Sequence, residues 1–320
     1  MSNTEALAAK TSFSVVICTR NRVRVVEKAI ESVLGQEYPS QLFELILVDN
    51  GSTDPTRALI QRYLVSSPIS VSCYVEDRVG VSFARNLGAA RARHEYIAFL
   101  DDDAAAEPGW LAAFDAAIQQ YGAQVAGGRV EPVIQQGVEA PLWWSEESIR
   151  GLFGLDHSGF LDGRPVVRIR WPLWLGGGNS VYSKELWKEF GNFQITLGPA
   201  GKRRRVAEDL DLNVRLERAA VPIYYAHEAV VRHIMTADRL TRCSVLRKAY
   251  WAGRTNATAN ALLGYTSKPA SLRQLARAAL QLPLFREPAR TISGCGLAHA
   301  AGYLLQSRLS TLQPGRAGNE

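Results

Sequence analysis

From residue 13 to residue 133, strand-sized apolar runs alternate with helical patterns of about 10–15 residues. No other feature of the chain restricts its fold as much. "FSVVIC" (13–18), "FELILVDN" (43–50), "ISVSCYVE" (69–76), "EYIAFLD" (95–101) and "AQVAGGRVEPV" (123–133) are rich in β-branched and aromatic residues and too short for helices. Between them lies "RVVEKAIESVLGQ", with Val26, Ala29, Ile30, Val33 and Leu34 on one face. "DPTRALIQRYL" follows, with Asp54 as its N-cap, then "GVSFARNLGAARAR". "PGWLAAFDAAIQQYG" closes the series, with Pro108 at its start and Gly122 at its end. A chain of this rhythm builds a parallel sheet with helices on both faces. Ligands of such sheets sit at the carboxyl ends of the strands. Asp49 ends the second strand and Asp101 the fourth.

The remaining 187 residues of the 320 are less regular. Residues 134–172 are rich in Trp and Gly, and loops of this length are usually functional or mobile. "PLWLGGGNSVYSKELWKEFGNF" reads as strand, glycine turn, short strand and helix; "AEDLDLNVRLERAAV" reads as a helix and "PIYYAHEAVVRHI" as a strand. From about residue 239 onward the pattern is helical, with Arg273, Arg277, Arg286, Arg290 and Arg308 among apolar positions.

Charge divides the chain unevenly. Residues 1–231 carry 24 Lys/Arg against 28 Asp/Glu, and residues 232–320 carry 13 against 3. A basic tail on a mildly acidic body points to an anionic partner surface. Nucleic acid is the poorer candidate, because the acidic front half repels phosphate and no zinc spacing or aromatic-basic RNA motif is present. Apolar stretches are strand-sized or broken by Gly, short of the roughly 20 residues that span a bilayer. "MSNTEALAAK" lacks the features of a signal peptide, and four scattered cysteines form no C-x-x-C pair. The expectation is a cytoplasmic protein with reduced thiols.

Asp101, Asp102 and Asp103 stand side by side at a strand end. Adjacent like charges repel, so a cation would relieve them. Mg2+ and Mn2+ take oxygen ligands, typically one or two carboxylates plus substrate phosphates. Strand alternation puts Asp101 and Asp103 on one side. A solvated turn whose aspartates cap the next helix accounts for the same residues.

The stretches "SVVICTRNR", "LILVDNGSTDPT", "ARNLGAARARHEYIAFLDDD", "LGGGNSVYSKELW" and "AEDLDLNVRL" occur in this order. In them the sequence resembles the family 2 glycosyltransferases. The resemblance implies the GT-A nucleotide-sugar fold over residues 13–235, with a nucleotide-binding half (13–133) and an acceptor half (134–235). Residues 1–12 would be a flexible N-terminus and 236–312 a basic helical extension. It also implies a metal-dependent, inverting hexosyltransferase in cell-surface polysaccharide or glycolipid synthesis. The donor would be a nucleotide-diphospho-sugar, UDP-sugar by family habit, and the acceptor a glycan or a lipid-linked hydroxyl. A non-catalytic protein of the same fold, binding a glycan or scaffolding a partner, is the alternative.

The same resemblance assigns roles to residues. Thr19, Arg20, Asn21 and Asp49 would hold the base and ribose, while Asn50, Gly51 and Ser52 shape a turn. Arg85 would pair with the diphosphate, or be an exposed helix arginine. Asp101 would face the ribose and metal-bound water, Asp103 would bind Mn2+ or Mg2+, and Asp102 would point away toward solvent. Asp209 would be the base that takes the acceptor proton, or with Glu208 and Asp211 merely cap a helix. Gly177, Gly178, Asn179 and Glu208 would line the sugar and acceptor pocket, or the glycines form a plain turn. His233 would be a further metal ligand, with His227 competing; His157 has no role. "GKRRRV" (201–206) would be a flap that closes on the diphosphate, or a solvated loop. The Q-x-x-R-W motif of processive relatives is absent near "LRKAYWAGRTN", which implies single-sugar addition. Trp143, Trp144, Trp171 and Trp174 are sugar-stacking or core residues without individual assignment. The basic helices would rest on the inner membrane face or form an oligomer interface.

Overall fold

The computed structural model describes residues 10–65, 67–145, 147–157, 159, 163–170, 172–195, 208–264, 272–282, 287 and 289–312. "GKRRRV", Trp171 and Arg286 lie outside these residues. The chain packs as two units, Met1–Glu131 with Leu155–Ile234, and Pro132–Gly154 with Met235–Glu320.

In the first unit the elements follow in order β1 (Phe13–Thr19), α1 (Val26–Leu34), β2 (Phe43–Asp49), α2 (Thr56–Val65), β3 (Ser70–Val75), α3 (Val81–Arg91) and β4 (Tyr96–Asp101). Then come β5 (Ala104–Ala106), α4 (Trp110–Tyr121) and β6 (Val125–Ile134), which runs on into the second unit, where α5 (Glu147–Arg150) lies. The chain returns through β7 (Val166–Ile169), β8 (Asn179–Ser183), α6 (Lys184–Phe190), α7 (Glu208–Arg218) and β9 (Ile223–Met235). Strand order is β3-β2-β1-β4-β8-β6-β9-β5, with β7 beside β9.

The expected parallel sheet is present in β3, β2, β1 and β4. Register aligns Thr19 with Asp49 and Cys18 with Asp101, so these strand ends share one edge. From β4 onward the pairing turns antiparallel: β8 against β4, β6 against β8, and β5 and β7 against β9. The sheet is therefore mixed. All seven residues of β2 are buried, as a strand covered on both faces requires. One face packs Val15, Ile17, Leu45 and Leu47 against Ile30 of α1, Ile60 of α2 and Trp110 of α4. The other packs Val16, Ile46, Val48 and Phe99 against Ala84 of α3, Trp187 of α6 and Leu212 of α7. Each fully buried apolar side chain contributes about 1.5–3 kcal/mol.

Two short strands differ from the sequence expectation. β5 is three alanines, weak strand formers, held by pairing of Ala104–Ala106 with Val231–His233. β7 lies in the stretch expected to be irregular, where Val166–Ile169 pair with Ala226–Ile223. Conversely, "PLWL" forms no strand. Leu173 turns back to bond the Arg170 carbonyl, and both backbone groups of Leu175 bond the Asn213 amide.

The second unit buries Trp143, Ile149, Phe153, Met235, Leu240, Val245, Ala249 and Cys295 together. Its helices α8 (Arg242–Leu263), α9 (Leu272–Gln281) and α10 (Ala289–Leu312) follow one another. α8 and α10 meet at glycines: a Cβ on Gly253 would lie 1.9 Å from the His299 carbonyl oxygen, and one on Gly302 would lie 2.0 Å from that of Tyr250. Asn256 bonds His299 and Asn260 bonds the Tyr303 hydroxyl, so the two helices run in the same direction.

Asn179 ties the first unit together. It is fully buried; its Oδ1 accepts from the Trp110 indole at 2.7 Å, and its amide donates to the Arg129 and Ala229 carbonyls at 2.9 Å each. An Asn179→Ala change leaves one donor and two carbonyls unsatisfied in the core. We expect a loss of about 3 kcal/mol of folding free energy, measured by urea denaturation.

Candidate active site

Arg85 is on α3 with its guanidinium buried. Nη2 donates to Asp101 Oδ1 at 2.7 Å, and Nη1 donates to Glu208 Oε1 at 3.2 Å. Its cation lies 5.4 Å from the centre of the Phe193 ring, which belongs to the aromatic cluster of Phe99, Tyr182 and Trp187. Burial by itself would lower the Arg85 pKa, but the carboxylates of Asp101 and Glu208 outweigh it and raise the value. The expectation of an exposed helix arginine is thereby set aside. The side chain is committed to two carboxylates.

The glycine turn fits around this pair. A Cβ on Gly178 would lie 2.0 Å from Asp101 Oδ2, and one on Gly177 would lie 2.6 Å from Arg85 Nη1. No residue with a side chain fits at either position without moving the charges. Gly177 N–H donates to Asp209 Oδ2 at 3.1 Å, and Leu210 N–H donates to Asp209 Oδ1 at 2.8 Å. The start of α7 thus turns two carboxylates inward, both buried. Burial, the neighbouring Asp209 charge and only partial relief from Arg85 push the Glu208 pKa up to about 8. Asp209 is raised as well, by burial above all, with Arg85 and its two N–H donors opposing.

A second acidic group lies at the end of β4. Asp103 is buried; its Oδ1 is 3.5 Å from His233 Nε2, and its Oδ2 is 3.6 Å from Arg22 Nη2. Asp102 accepts from the Thr19 hydroxyl at 2.7 Å and lies 4.0 Å from Arg22 Nε. Its expected orientation toward solvent is corrected, because its side chain is only 14% exposed. Burial and the Asp103 charge push its pKa up to about 7. The β5–β9 register, Ala104 opposite His233, brings Asp103 and His233 together across 130 residues of sequence.

No group of three His, Cys, Asp or Glu side chains poised around a cation occurs among the described residues. Asp101, expected to share the metal with Asp103, accepts from Arg85 through Oδ1. One carboxylate and one imidazole nevertheless make a donor set that suits Mn2+ or Mg2+ when substrate phosphates complete the shell. The residues present fit such an ion.

Asp49 is fully buried; Arg57 Nε and Ser52 N–H donate to its two oxygens at 2.7 and 2.9 Å, and these bonds overcome burial to hold its pKa below the usual carboxylate value. Asn21 occupies a left-handed turn at φ 54°, where Thr53 N–H donates to its side chain at 2.7 Å. Arg20 is exposed, its Nε 3.5 Å from the Gly51 carbonyl. Asn50 binds the Glu76 and Arg78 carbonyls and the Gly80 N–H, more than a turn-former does. Asn179 is corrected from pocket residue to core residue. His157 packs 5.0 Å from the Tyr225 ring and bonds the Trp174 carbonyl. Arg22, beside the acidic pair, carries no signal in the sequence beyond its place two residues after Arg20 in "CTRNR".

The sequence model for Glycosyl transferase family 2 matches residues 14–163. The chain is 27% identical over 244 residues to the glucosyl-dolichyl phosphate glucuronosyltransferase of Haloferax volcanii, covering 75% of this chain and 74% of that protein. With glycosyltransferase AglE of the same organism it shares 31% identity over 119 residues, 37% of this chain and 39% of that one. Among solved structures, a mannosyltransferase from Pyrobaculum calidifontis in complex with GDP-Man and Mn2+ has a TM-score of 0.61 at 15% identity, over 93% of this chain and 87% of that chain. S. aureus TarS 1-349 in complex with UDP-GlcNAc has a TM-score of 0.53 at 17% identity, over 95% and 93%.

Glu208 has a pH signature. Its folded pKa is raised above its ordinary value of 4.5, so the stability linked to its proton is full below pH 4.5 and is lost as pH rises through about 8. Urea midpoints measured from pH 5 to pH 9 should fall across that window, and Glu208→Gln should flatten the decline.

Proposed function

The chain is a family 2 glycosyltransferase of the GT-A fold, and from that premise we propose that it transfers a sugar with inversion from a nucleoside-diphosphate sugar to an acceptor hydroxyl. The observation that carries the proposal is Arg85, which ties the end of the acidic strand at Asp101 to the Glu208–Asp209 pair. Asp101 and the Glu208–Asp209 pair are thereby held at one edge of the sheet, which supports a donor side and an acceptor side meeting there.

Asp209 is the base. Its carboxylate is oriented by two backbone N–H groups, and burial raises its affinity for a proton against their opposition. Glu208 shares the neighbourhood and competes for the same proton. Gly177 and Gly178 let the backbone pass directly against Arg85 and Asp101. Asp103 and His233 would hold a divalent cation, which supplies charge neutralisation on the departing diphosphate. A UDP-sugar is our choice of donor, supported by the TarS complexes with UDP and UDP-GlcNAc.

For the acceptor we propose a lipid-linked glycan, with the enzyme resting on anionic membrane. Support comes from the dolichyl phosphate in the Haloferax relative's name and from the 13 Lys/Arg against 3 Asp/Glu after residue 231. On α9, Arg273 and Arg277 are exposed and Leu280 is left 79% exposed. No described helix is long and apolar enough to cross a membrane.

Thermal melts with UDP or GDP and Mn2+ test the donor site. Ligand at a hundred times its dissociation constant should add about 2.7 kcal/mol. That gain should vanish in Asp103→Ala. It should persist in Asp209→Asn, whose turnover should fall by roughly 10²–10⁴. Loss of nucleotide binding in Asp209→Asn would count against its role as base.

Flotation with vesicles tests the membrane surface. Binding to phosphatidylglycerol vesicles, absent for phosphatidylcholine and weakened by salt, is the expected result. Equal flotation with both lipids, or with neither, would refute it.

A further inference from the structure

Arg22 is held differently from the other arginines near the site. Arg85 is buried and bonds Asp101 at 2.7 Å. Arg22 stands 3.6 Å from Asp103 and 4.0 Å from Asp102, in ion-pair contact but beyond hydrogen-bond length, and its side chain is 37% exposed. Its main chain, by contrast, is pinned. Arg22 N–H donates to the Thr56 hydroxyl at 3.0 Å, and Asn21 before it is fixed in its left-handed turn by Thr53 and Ser52. An anchored backbone with a loosely paired, half-solvated head is the construction of a side chain that can pivot.

We propose that Arg22 is an exchangeable counter-charge. It neutralises Asp102 and Asp103 while no divalent ion is bound, yields Asp103 to the incoming cation, and turns its guanidinium to the diphosphate that arrives with that cation. The inference rests on the metal and donor reading above. Two adjacent carboxylates, one of them buried, need a positive charge nearby at all times. An arginine cannot surrender its charge by deprotonation. A divalent cation entering beside Asp103 would therefore meet a fixed like charge unless Arg22 withdrew. The guanidinium fork matches phosphate oxygens bidentately, which gives the displaced head a destination. Binding of metal without nucleotide is then weakened by Arg22, whereas binding of both together is strengthened by it. The two ligands are coupled through one side chain.

Opposite signs in one variant make the test. Mn2+ binding would be measured by the loss of its free electron-paramagnetic-resonance signal, without nucleotide, in wild type, Arg22→Gln, Arg22→Lys and Asp103→Ala. Binding of UDP and of GDP would be measured by calorimetry at saturating Mn2+. Arg22→Gln should bind Mn2+ alone about 5-fold tighter or more, and nucleotide with Mn2+ about 5-fold weaker or more. Arg22→Lys, which keeps the charge but not the fork, should resemble wild type for Mn2+ alone and still bind nucleotide more weakly. Unchanged or weaker Mn2+ binding by Arg22→Gln would overturn the counter-charge. Tighter Mn2+ with unaltered nucleotide binding would overturn the pivot. Wild-type Mn2+ binding in Asp103→Ala would show instead that the metal reading itself is wrong, and the inference would fall with it.

Discussion

A buried guanidinium with two carboxylates is the constraint on which the rest of the site depends. Removing Arg85 from water is costly, and only close carboxylate partners offset it. Asp101 and Glu208 meet that need from opposite directions, one from the end of β4 and the other from the first turn of α7. The turn at Gly177–Gly178 must be glycine because charged atoms fill the space where side chains would go. Asp209 follows Glu208 into the interior, where Gly177 and Leu210 orient it.

The network also rests on the aromatic core. Arg85 rests against Phe193, and Phe193 lies among Phe99, Tyr182 and Trp187 at ring separations of 5.2 to 6.5 Å. Displacing Arg85 therefore means disturbing close-packed aromatic core. Asp103 is buried, with Arg22 at 3.6 Å and His233 at 3.5 Å among its neighbours.

The parallel half of the fold was legible because its strands are β-branched runs buried on both faces, a pattern that few alternatives share. What escaped was structure made by pairing and not by propensity. Ala104–Ala106 carries no strand signal and becomes a strand only because Val231–His233 lies alongside. Leu175 looks like the end of a strand, yet its backbone bonds go to the amide of Asn213. Asp103, His233 and Asp209 stand out in the sequence by chemical type and by position in the resemblance, and the fold sets Asp103 beside His233 and bonds Asp209 to the Gly177 N–H. Asn179 could not be read correctly, since a polar side chain beside glycines looks like a ligand group; three core partners make it a structural knot. Asp49 likewise reads as a ligand group, and nothing in its own stretch of sequence reveals that Arg57, eight residues on, is its partner.

The reversal of strand direction at β4 is what brings the two acidic groups to one edge. Had the sheet continued parallel, the strand after β4 would enter from the far edge, and its glycine turn would lie away from Asp101. Because β8 runs antiparallel, Leu100 faces Asn179, and the turn before β8 closes directly over the end of β4. β9, antiparallel to β5, likewise delivers His233 beside Ala104, and with it Asp103. The parallel half carries the first strand ends and Arg85 on its helix; the antiparallel half supplies the glycine turn and the histidine. The site therefore belongs to the seam between two sheet directions. Neither half alone would hold Asp103 and Asp209 at the same edge.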